Sequence, residues 1–488
     1  MEPLTWTGSL SGLNIAFYVA VSLLMLAVVV QIIVAFLPAT VVRGVNADGT
    51  LGSNTLVTGL TSLAVNWTLY AVLVLILVYL ILGTFMGTNA GIFGGMARQM
   101  TPVWIALIVT FGVSVTFKGR LGLYGKLFNS TVGMIGFGLV MFWVFTGIFA
   151  GVFDGLVTHD SLSQVSGMKN KLPGEPLRGA SETDFAWYLL GGDNLARDVF
   201  SRLLKGAWVV VLIAPLATLF AFMVGITLGL PAGYYGGRFD TLLSFLANLI
   251  LAFPVILLFY LLVTPEIVLT GIPNYMASVL FIFPVIFFAI LLNSRFHTQP
   301  QIRTPLLIVV IGALMWAYLS LISNDGTVVS NRDITIPGLP PMLDWIEMPP
   351  EILVVFVSVV FVNSPTVFRI VRGLALDIKT RDYVAAAQTR GEGPWYIMLW
   401  EILPNARGPL IVDFCLRIGY TTILLGTLGF FGLGLESESP DWGSTINAGR
   451  RLLALYPHAA IAPALALLSL VLGLNLLADG LREESMRD

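Results

Sequence analysis

The chain has 488 residues, of which 57% are hydrophobic and only 11% are charged, and its formal net charge is −2. Soluble domains carry roughly 25% charged residues, so this composition excludes a soluble globular protein and predicts a polytopic membrane protein. The near-neutral charge gives no reason to expect nucleic acid as a partner.

Eleven segments are apolar enough to cross a membrane, which takes about 20 mostly apolar residues for a helix. They lie near residues 14–37, 67–86, 101–117, 130–153, 208–230, 243–263, 275–292, 305–322, 352–371, 409–431 and 459–478. The sequence therefore predicts an all-α fold of about eleven transmembrane helices.

The loops between these segments differ in charge. Loops 118–129, 293–304 and 372–408 are rich in Lys and Arg and fall on one side when the segments alternate, whereas 323–351, opposite, holds five acidic residues and one arginine. Cytoplasmic loops carry the excess of basic residues, so the C-terminus is predicted in the cytoplasm and the N-terminus outside. The basic segment 154–207 departs from this pattern, but long loops cross regardless of charge.

A polar stretch, YVAAAQTRGEGPWYIMLWEILPN (383–405), separates two of the apolar segments. Its three alanines favour a short helix without bulk, and Gly391 is placed to end that helix. Gly393-Pro394 should prevent the helix from resuming at once. Trp395, Tyr396 and Trp400 suit the membrane–water boundary. The pattern alone fits either a docking element or a plain amphipathic re-entry loop.

This stretch resembles the cytoplasmic signature loop of ABC importer permeases, in which Glu-Ala-Ala, a glycine four residues later and a distal Leu-Pro occur at fixed spacing. Ala385-Ala386-Ala387, Gly391 and Leu403-Pro404 occupy those places. Further segments are similar to the oligopeptide, dipeptide and nickel subfamily. They are GGDNLARDVFSRLLKGA (191–207), LPAGYYGGRFD (230–240), LAFP (251–254), the run from Thr427 to Arg450, and the ending LNLLADGLREESMRD (474–488).

The resemblance implies a permease subunit with a six-helix type I core in a prokaryotic inner membrane. Its implied partners are a second permease subunit, two ATPase subunits or domains, an extracytoplasmic solute-binding protein and membrane lipid. No cofactor is expected in this chain, because ATP and Mg would be bound by the ATPases. Peptides are the leading substrate class, although the subfamily also includes transporters for nickel and oligosaccharides. The implied ATPase-coupling residues are Tyr383, Ala385, Ala386, Ala387, Gly391, Glu401, Leu403 and Pro404.

The chain departs from the family pattern at four positions. Ala385 stands where the family has glutamate, and Glu401 where it has histidine. Upstream, Gly192 and Ala196 replace a threonine and a glycine. The first departure puts one polar contact with the ATPase in doubt, and a nearby acid such as Glu392 or Glu401 is a candidate to replace it.

The resemblance also divides the chain into four parts. Residues 1–129 supply about three extra helices, and residues 130–263 form the first part of the core. An inserted helix pair and an outer, proline-rich segment occupy 264–351, and residues 352–488 complete the core. We expect the outer segment to be an ordered, non-helical flap that meets the binding protein or covers the entrance. Packing against lipid is the alternative.

Polar residues within the apolar segments are candidates for a pathway or gate, because ionisable groups there are costly. Asp413 and Arg417 are four residues apart and can pair on one helix face, as a gate or as a structural ion pair. Asn363-Ser364-Pro365 interrupts segment 352–371, and Pro365 should kink that helix. The kink could line a pathway or simply fit a neighbouring helix.

Other function classes lack their motifs. The chain has no G-x-x-x-x-G-K-[ST] phosphate-binding loop, and its three histidines are scattered. An ion-coupled secondary transporter would need paired carboxylates at mid-membrane in two related halves. It remains the alternative function, and a membrane-embedded enzyme is disfavoured.

Overall fold

The computed structural model describes residues 2–36, 56–177, 185–323, 350–433 and 439–485. Helices of eight or more residues are numbered in chain order. They are α1 (Asn14–Phe36), α2 (Leu56–Met86), α3 (Gly91–Gln99), α4 (Thr101–Thr116), α5 (Thr131–Gly151), α6 (Val199–Tyr235), α7 (Gly237–Leu251), α8 (Val255–Val263), α9 (Ile272–Leu280), α10 (Ile282–Arg295), α11 (Pro300–Ser323), α12 (Pro350–Ile378), α13 (Asp382–Thr389), α14 (Arg407–Phe431), α15 (Trp442–Arg450) and α16 (His458–Ser485).

Short helical pieces complete the list of elements. Single turns of α-helix lie at Gly122–Lys126, Pro265–Val268, Pro394–Tyr396 and Leu403–Asn405, 3₁₀ turns at Gly8–Leu13, Gly87–Ala90, Lys118–Arg120 and Leu127–Asn129, and a π-helix at Ile397–Ile402. Two antiparallel strands, β1 (Glu175–Pro176) and β2 (Trp187–Tyr188), pair Glu175 with Tyr188 and Pro176 with Trp187.

All eleven apolar segments coincide with helices. Within the described residues, nine helices are long and apolar enough to cross a membrane, and α4 is a shorter apolar helix. Segment 243–263 differs from the single helix that hydropathy suggests, because α7 and α8 meet at 82°. Pro254 is the N-cap of α8 and has a ψ of 120°. A proline cannot donate to the preceding turn and disfavours helix at the residue before it, so the chain bends there.

Contacts divide the chain into two compact units. One comprises Met1–Ile105 and Thr158–Phe200, and the other comprises Ala106–Val157 and Ser201–Asp488. These two units are defined by contacts within the structure. They do not test the division into four parts that the family resemblance implies, which stays a prediction. The predicted outer flap falls on 324–349, outside the described residues.

Long-range hydrogen bonds in the second unit show which helix ends lie together. Arg372, near the end of α12, binds Asp240 at the start of α7. Trp400, before α14, donates to Ser294 at the end of α10. The chain between Asp240 and Ser294 must therefore cross the bundle and return. Since α9 and α10 together make one crossing, the bent pair α7–α8 makes the other.

The basic loops therefore lie at one end of this unit, here named the loop end. Ser130, which follows loop 118–129, donates to Glu483 at the end of α16. The other end of this unit, where α16 begins, is here named the far end. The predicted grouping of loops 118–129, 293–304 and 372–408 on one side is thus confirmed. Which side faces the cytoplasm stays a prediction.

Helix α6 packs against α12 through a stripe of glycines at every fourth position, Gly225, Gly229 and Gly233. A Cβ atom on Gly229 would lie 2.9 Å from the carbonyl oxygen of Phe368, and one on Gly233 would lie 2.7 Å from that of Arg372. Because no side chain fits there, the two backbones approach closely, as small residues allow between membrane helices.

Candidate functional site

The short helix expected in the polar stretch is present as α13, at the loop end. It ends in two backbone hydrogen bonds, from Gly391 to the carbonyl of Gln388 (3.0 Å) and from Glu392 to that of Ala387 (3.3 Å). Gly391 has a φ of +80°. This is the glycine-dependent Schellman ending, so Gly391 terminates the helix as predicted.

The two faces of α13 differ in burial. Val384 and Ala387 are fully buried and belong to an apolar cluster with residues of α6, α12 and the start of α14. Ala385 and Ala386 are exposed, and Tyr383 is 38% exposed. The predicted coupling residues are therefore split: Ala387 holds the helix onto the bundle, and Tyr383, Ala385 and Ala386 face outward.

The segment after α13 corrects one expectation. Helix resumes at Pro394, only three residues beyond Gly391, and Gly393 is its N-cap. Proline suits the first position of a helix, where its missing N–H would be unsatisfied anyway. Helical residues then run to Asn405 and include the π-helix Ile397–Ile402, a form often found at functional sites.

The predicted residues beyond α13 lie along this second helix. Leu403 is half-buried against the apolar cluster, and Pro404 is exposed. Glu401 accepts a hydrogen bond from Arg390 at 2.9 Å, and its side chain is 22% exposed. The position at which the family has histidine therefore ties the end of α13 to the helix that follows.

Polar contacts that the sequence did not reveal anchor this region. The guanidinium of Arg372 binds both carboxylate oxygens of Asp240. Lys379 donates to the carbonyl of Gly233 at 2.8 Å, and Gln388 on α13 donates to the Tyr234 hydroxyl at 3.2 Å. The partners Gly233, Tyr234 and Asp240 all belong to LPAGYYGGRFD, which is therefore the platform on which α13 rests.

The candidate pathway residues lie inside the helical bundle. Asp413 and Arg417 pair at 2.6 Å on α14, as their spacing predicts, and both side chains are largely buried. Asn363 is buried and donates to Thr421 on α14 at 3.2 Å, and Thr421 in turn lies 3.5 Å from Thr218 on α6. These contacts join three helices of one bundle, and a role in a pathway or gate stays a prediction.

Helix α12 continues through Asn363-Ser364-Pro365, so these residues do not end the helix, and the kink expected at Pro365 stays a prediction. Asn363 donates to the carbonyl of Val359, and Ser364 to that of Val360. Pro365 leaves the carbonyl of Phe361 without its usual backbone donor, and the two side-chain bonds bind the carbonyls of the same preceding turn.

Two other segments of the resemblance meet at the far end. The buried Arg202 donates to the carbonyl of Ser439 at 2.7 Å, and Trp442 donates to that of Leu203 at 2.9 Å. Asp441 caps α15 by accepting from the Ser444 backbone at 2.9 Å. Burial raises the pKa of the Asp441 carboxyl, although its hydrogen bonds from Ser444 act in the opposite direction. The hydrogen bonds of Arg202 and Trp442 therefore connect α6 to the segment between α14 and α16.

In the first unit, the GGDNLARD segment forms a tight buried loop. Asp193 accepts from the backbones of Leu195 (2.8 Å) and Arg197 (2.9 Å) and pairs with the Arg197 guanidinium at 2.8 Å. Ala196 has a φ of +65°. This left-handed conformation explains the family glycine at that position, because glycine adopts it without strain.

Among the described residues, no group of three or more His, Cys, Asp or Glu side chains could hold a metal ion. The expectation that ATP and Mg are bound by partner subunits stays a prediction.

Comparison with known proteins gives concordant results. The glutathione transport system permease protein GsiD of Pectobacterium atrosepticum is 29% identical over 294 residues, covering 60% of this chain and 70% of the relative. The dipeptide transport system permease proteins DppC of Alkalihalophilus pseudofirmus and Haemophilus influenzae are 24% and 26% identical, covering 69% and 61% of this chain and 80% and 72% of the relatives.

These relatives are permease proteins of transport systems, which favours a transport permease over an ion-coupled secondary transporter. Residues 225–483 match the family described as binding-protein-dependent transport system inner membrane component. The match includes α13, its glycine ending and the platform beneath it. The chain therefore belongs to the family of inner membrane components of binding-protein-dependent transport systems.

Proposed function

We propose that this chain is the permease subunit of an ABC importer for peptides or a similar small solute, and that α13 is the surface on which a separate ATPase subunit docks. The observation that carries the proposal is the exposed face of Tyr383, Ala385 and Ala386, held on a buried base of Val384 and Ala387. An eight-residue helix is about 12 Å long, enough to fill a groove on a partner.

The substrate class comes from the relatives, which are named for glutathione and dipeptide transport. A second permease subunit would complete the pathway, and an extracytoplasmic solute-binding protein would deliver the solute at the far end. The loop end then faces the cytoplasm of a prokaryotic inner membrane, in agreement with its basic loops. This orientation places the C-terminus in the cytoplasm.

The contacts around α13 suggest how movement would spread. When two ATPases that have bound ATP and Mg close on each other, they would push α13 through its exposed face. Gln388 and the buried cluster would pass the displacement to the platform 233–240, and Arg372 would carry α7 with α12. The bundle would then rock as one body between inward-open and outward-open states.

The test replaces an exposed residue so that the fold is spared. Ala386→Trp adds bulk to the exposed face of α13, and Gln299→Trp adds it to another exposed position at the same end. In liposomes that contain the whole transporter, Ala386→Trp should abolish solute-stimulated ATP hydrolysis and uptake, with Gln299→Trp close to wild type. Normal coupling in a correctly inserted Ala386→Trp protein would refute the docking role.

Glu392 and Glu401 are the nearby acids that we consider as replacements for the missing family glutamate at Ala385. Glu401 already binds Arg390, so Glu392 is the acid we expect to meet the ATPase. Photo-crosslinking residues placed at 392 and 401 should capture the ATPase from 392 more efficiently than from 401. Equal capture, or capture from 401 alone, would reverse this assignment.

A further inference from the structure

A cavity of about 560 Å³ lies where the inserted helices α10 and α11 meet the helix that follows α13. Its volume is within the roughly 300–1,000 Å³ of ordinary ligand pockets. The lining that matters here comprises Ile290, Asn293 and His297 on α10, Leu307 on α11, and Trp395 and Tyr396.

Three contacts hold the walls of this cavity in place. Trp400 donates from its indole nitrogen to the Ser294 hydroxyl at 3.1 Å. The Arg295 guanidinium lies 4.7 Å from the centre of the Trp400 ring, in cation–π range. The His297 ring packs edge-on against Tyr396, with centroids 5.9 Å apart. The cavity is therefore formed before any ligand binds.

The cavity lies at the boundary between hydrocarbon and headgroups. Helices α9 and α10 form one candidate span of 24 residues, about 36 Å long at 1.5 Å per residue. The hydrocarbon core is only ~30 Å thick, so the last turn of α10 extends into the headgroup region. Trp395 and Tyr396 are the residue types enriched at that level.

The walls are apolar on one side and polar on the other. Ile290 and Leu307 form the apolar side. The exposed Asn293 side chain makes no hydrogen bond to another described residue. His297 Nδ1 lies 3.1 Å from the Ser294 carbonyl, so Nδ1 carries a proton that it donates to that carbonyl.

One basic residue, outside the cavity lining, lies on the same face of α11 as Leu307. Arg303 lies four residues before Leu307 on α11 and so shares its face. No acidic side chain is among the described residues that line the cavity. A ligand with an anionic group and an apolar tail matches these walls.

We propose that this cavity binds one anionic phospholipid. Its acyl chain lies along Ile290 and Leu307, and its phosphate faces Asn293 and Arg303. Such a lipid joins the inserted helices to Pro394–Tyr396 at the edge of the loop end. The assignment depends on this cavity alone and stands apart from the ATPase-docking role of α13.

Native mass spectrometry of the purified full-length chain, with the subunits that co-purify, tests the acyl-chain site. Leu307→Trp fills the cavity, whereas Ile308→Trp adds the same bulk one residue on, at a side chain that is 68% exposed and outside the lining. After exchange into phosphatidylglycerol, the wild type and Ile308→Trp should retain one more lipid than Leu307→Trp. Equal lipid counts in all three proteins would overturn the site.

The headgroup is tested by lipid choice and by removing the basic side chain. Phosphatidylglycerol should bind more tightly than phosphatidylcholine, and Arg303→Ala should weaken phosphatidylglycerol binding by roughly fivefold, the usual effect of one basic residue near a membrane. Equal affinity for the two lipids would overturn the anionic assignment. Displacement of the retained lipid by millimolar inorganic phosphate would instead assign the cavity to free phosphate.

Discussion

The guanidinium of Arg372 binds both carboxylate oxygens of Asp240, which lies 132 residues earlier in the chain. This bidentate pair joins the first turn of α7 to the part of α12 that leads into α13. Paired planar groups of this kind fix geometry as well as adding energy.

Breaking this pair should loosen the platform beneath α13. The Asp240 and Arg372 side chains are 14% and 32% exposed, so solvent screening limits their coupling energy to about 1 kcal/mol. Asp240→Ala and Arg372→Ala should each lower the thermal unfolding midpoint of the purified protein, and the double variant should lose less than the sum. Arg369→Ala, at an exposed position one turn earlier, serves as the control. Strict additivity would show that the two residues do not interact.

Gly391 should tolerate no side chain, although there is space for one. A Cβ atom there would meet nothing within 4 Å, but the φ of +80° strains any other residue by about 1–2 kcal/mol. Gly391→Ala should therefore speed amide hydrogen exchange across α13. Gly393→Ala should not, because Gly393 also has open space but a φ of −70°. The same exchange rate in both variants would contradict the role of the Schellman ending.

Ala196→Gly should stabilise the protein. Relief of the left-handed strain outweighs the greater freedom of glycine in the unfolded chain, for a net gain of about 0.5–1 kcal/mol. A rise in the thermal midpoint checks this expectation. Ala186→Gly is the matched control: Ala186 is not among the residues with positive φ, so its replacement should lower the midpoint.

Replacing Thr421, which contacts the buried Asn363, distinguishes a structural role of this pair from a role in the solute pathway. Thr421→Val should lower stability by about 1 kcal/mol, since Asn363 keeps its bond to Val359 but loses the hydroxyl. Thr421→Ser should restore stability and uptake together. Loss of uptake in Thr421→Val at unchanged stability would instead indicate that the hydroxyl meets the solute.

Cysteine labelling decides the orientation. Thr298→Cys lies at the loop end and Ala454→Cys at the far end, both at exposed positions, in a Cys415→Ser background. On intact cells, an impermeant thiol reagent should label residue 454 and leave residue 298 unlabelled, and permeabilised cells should show both. The opposite pattern would invert the topology.

Local features of the fold and site could be read from the sequence. The apolar segments, the helix over the alanines, its end at Gly391 and the Asp413–Arg417 pair each depend on residues within a few turns of one another. Hydropathy missed the bend between α7 and α8, because an apolar window does not register that Pro254 redirects the chain. The prediction of a break at Gly393-Pro394 is wrong, because the same two residues can cap and begin a helix.

Contacts across the chain could not be predicted. The sequence around Asp240 does not predict that Arg372 is its partner. The sequence of the inserted helices likewise does not predict the hydrogen bond between Ser294 and Trp400. The different burial of Ala386 and Ala387 also depends on which face of α13 meets the cluster. In each case the deciding information is the packing of helices far apart in sequence.

The glycine stripe on α6 also bears on how the protein is made. Ribosomes synthesise α6 before the inserted segment and α12 after it, so the groove at Gly225, Gly229 and Gly233 is made before the helix that fills it. Helices in a bilayer associate through close packing rather than through the hydrophobic effect. Until α12 is inserted, the groove on α6 can therefore bind another helix that has small residues on one face. Correct assembly depends on α12 reaching that groove first.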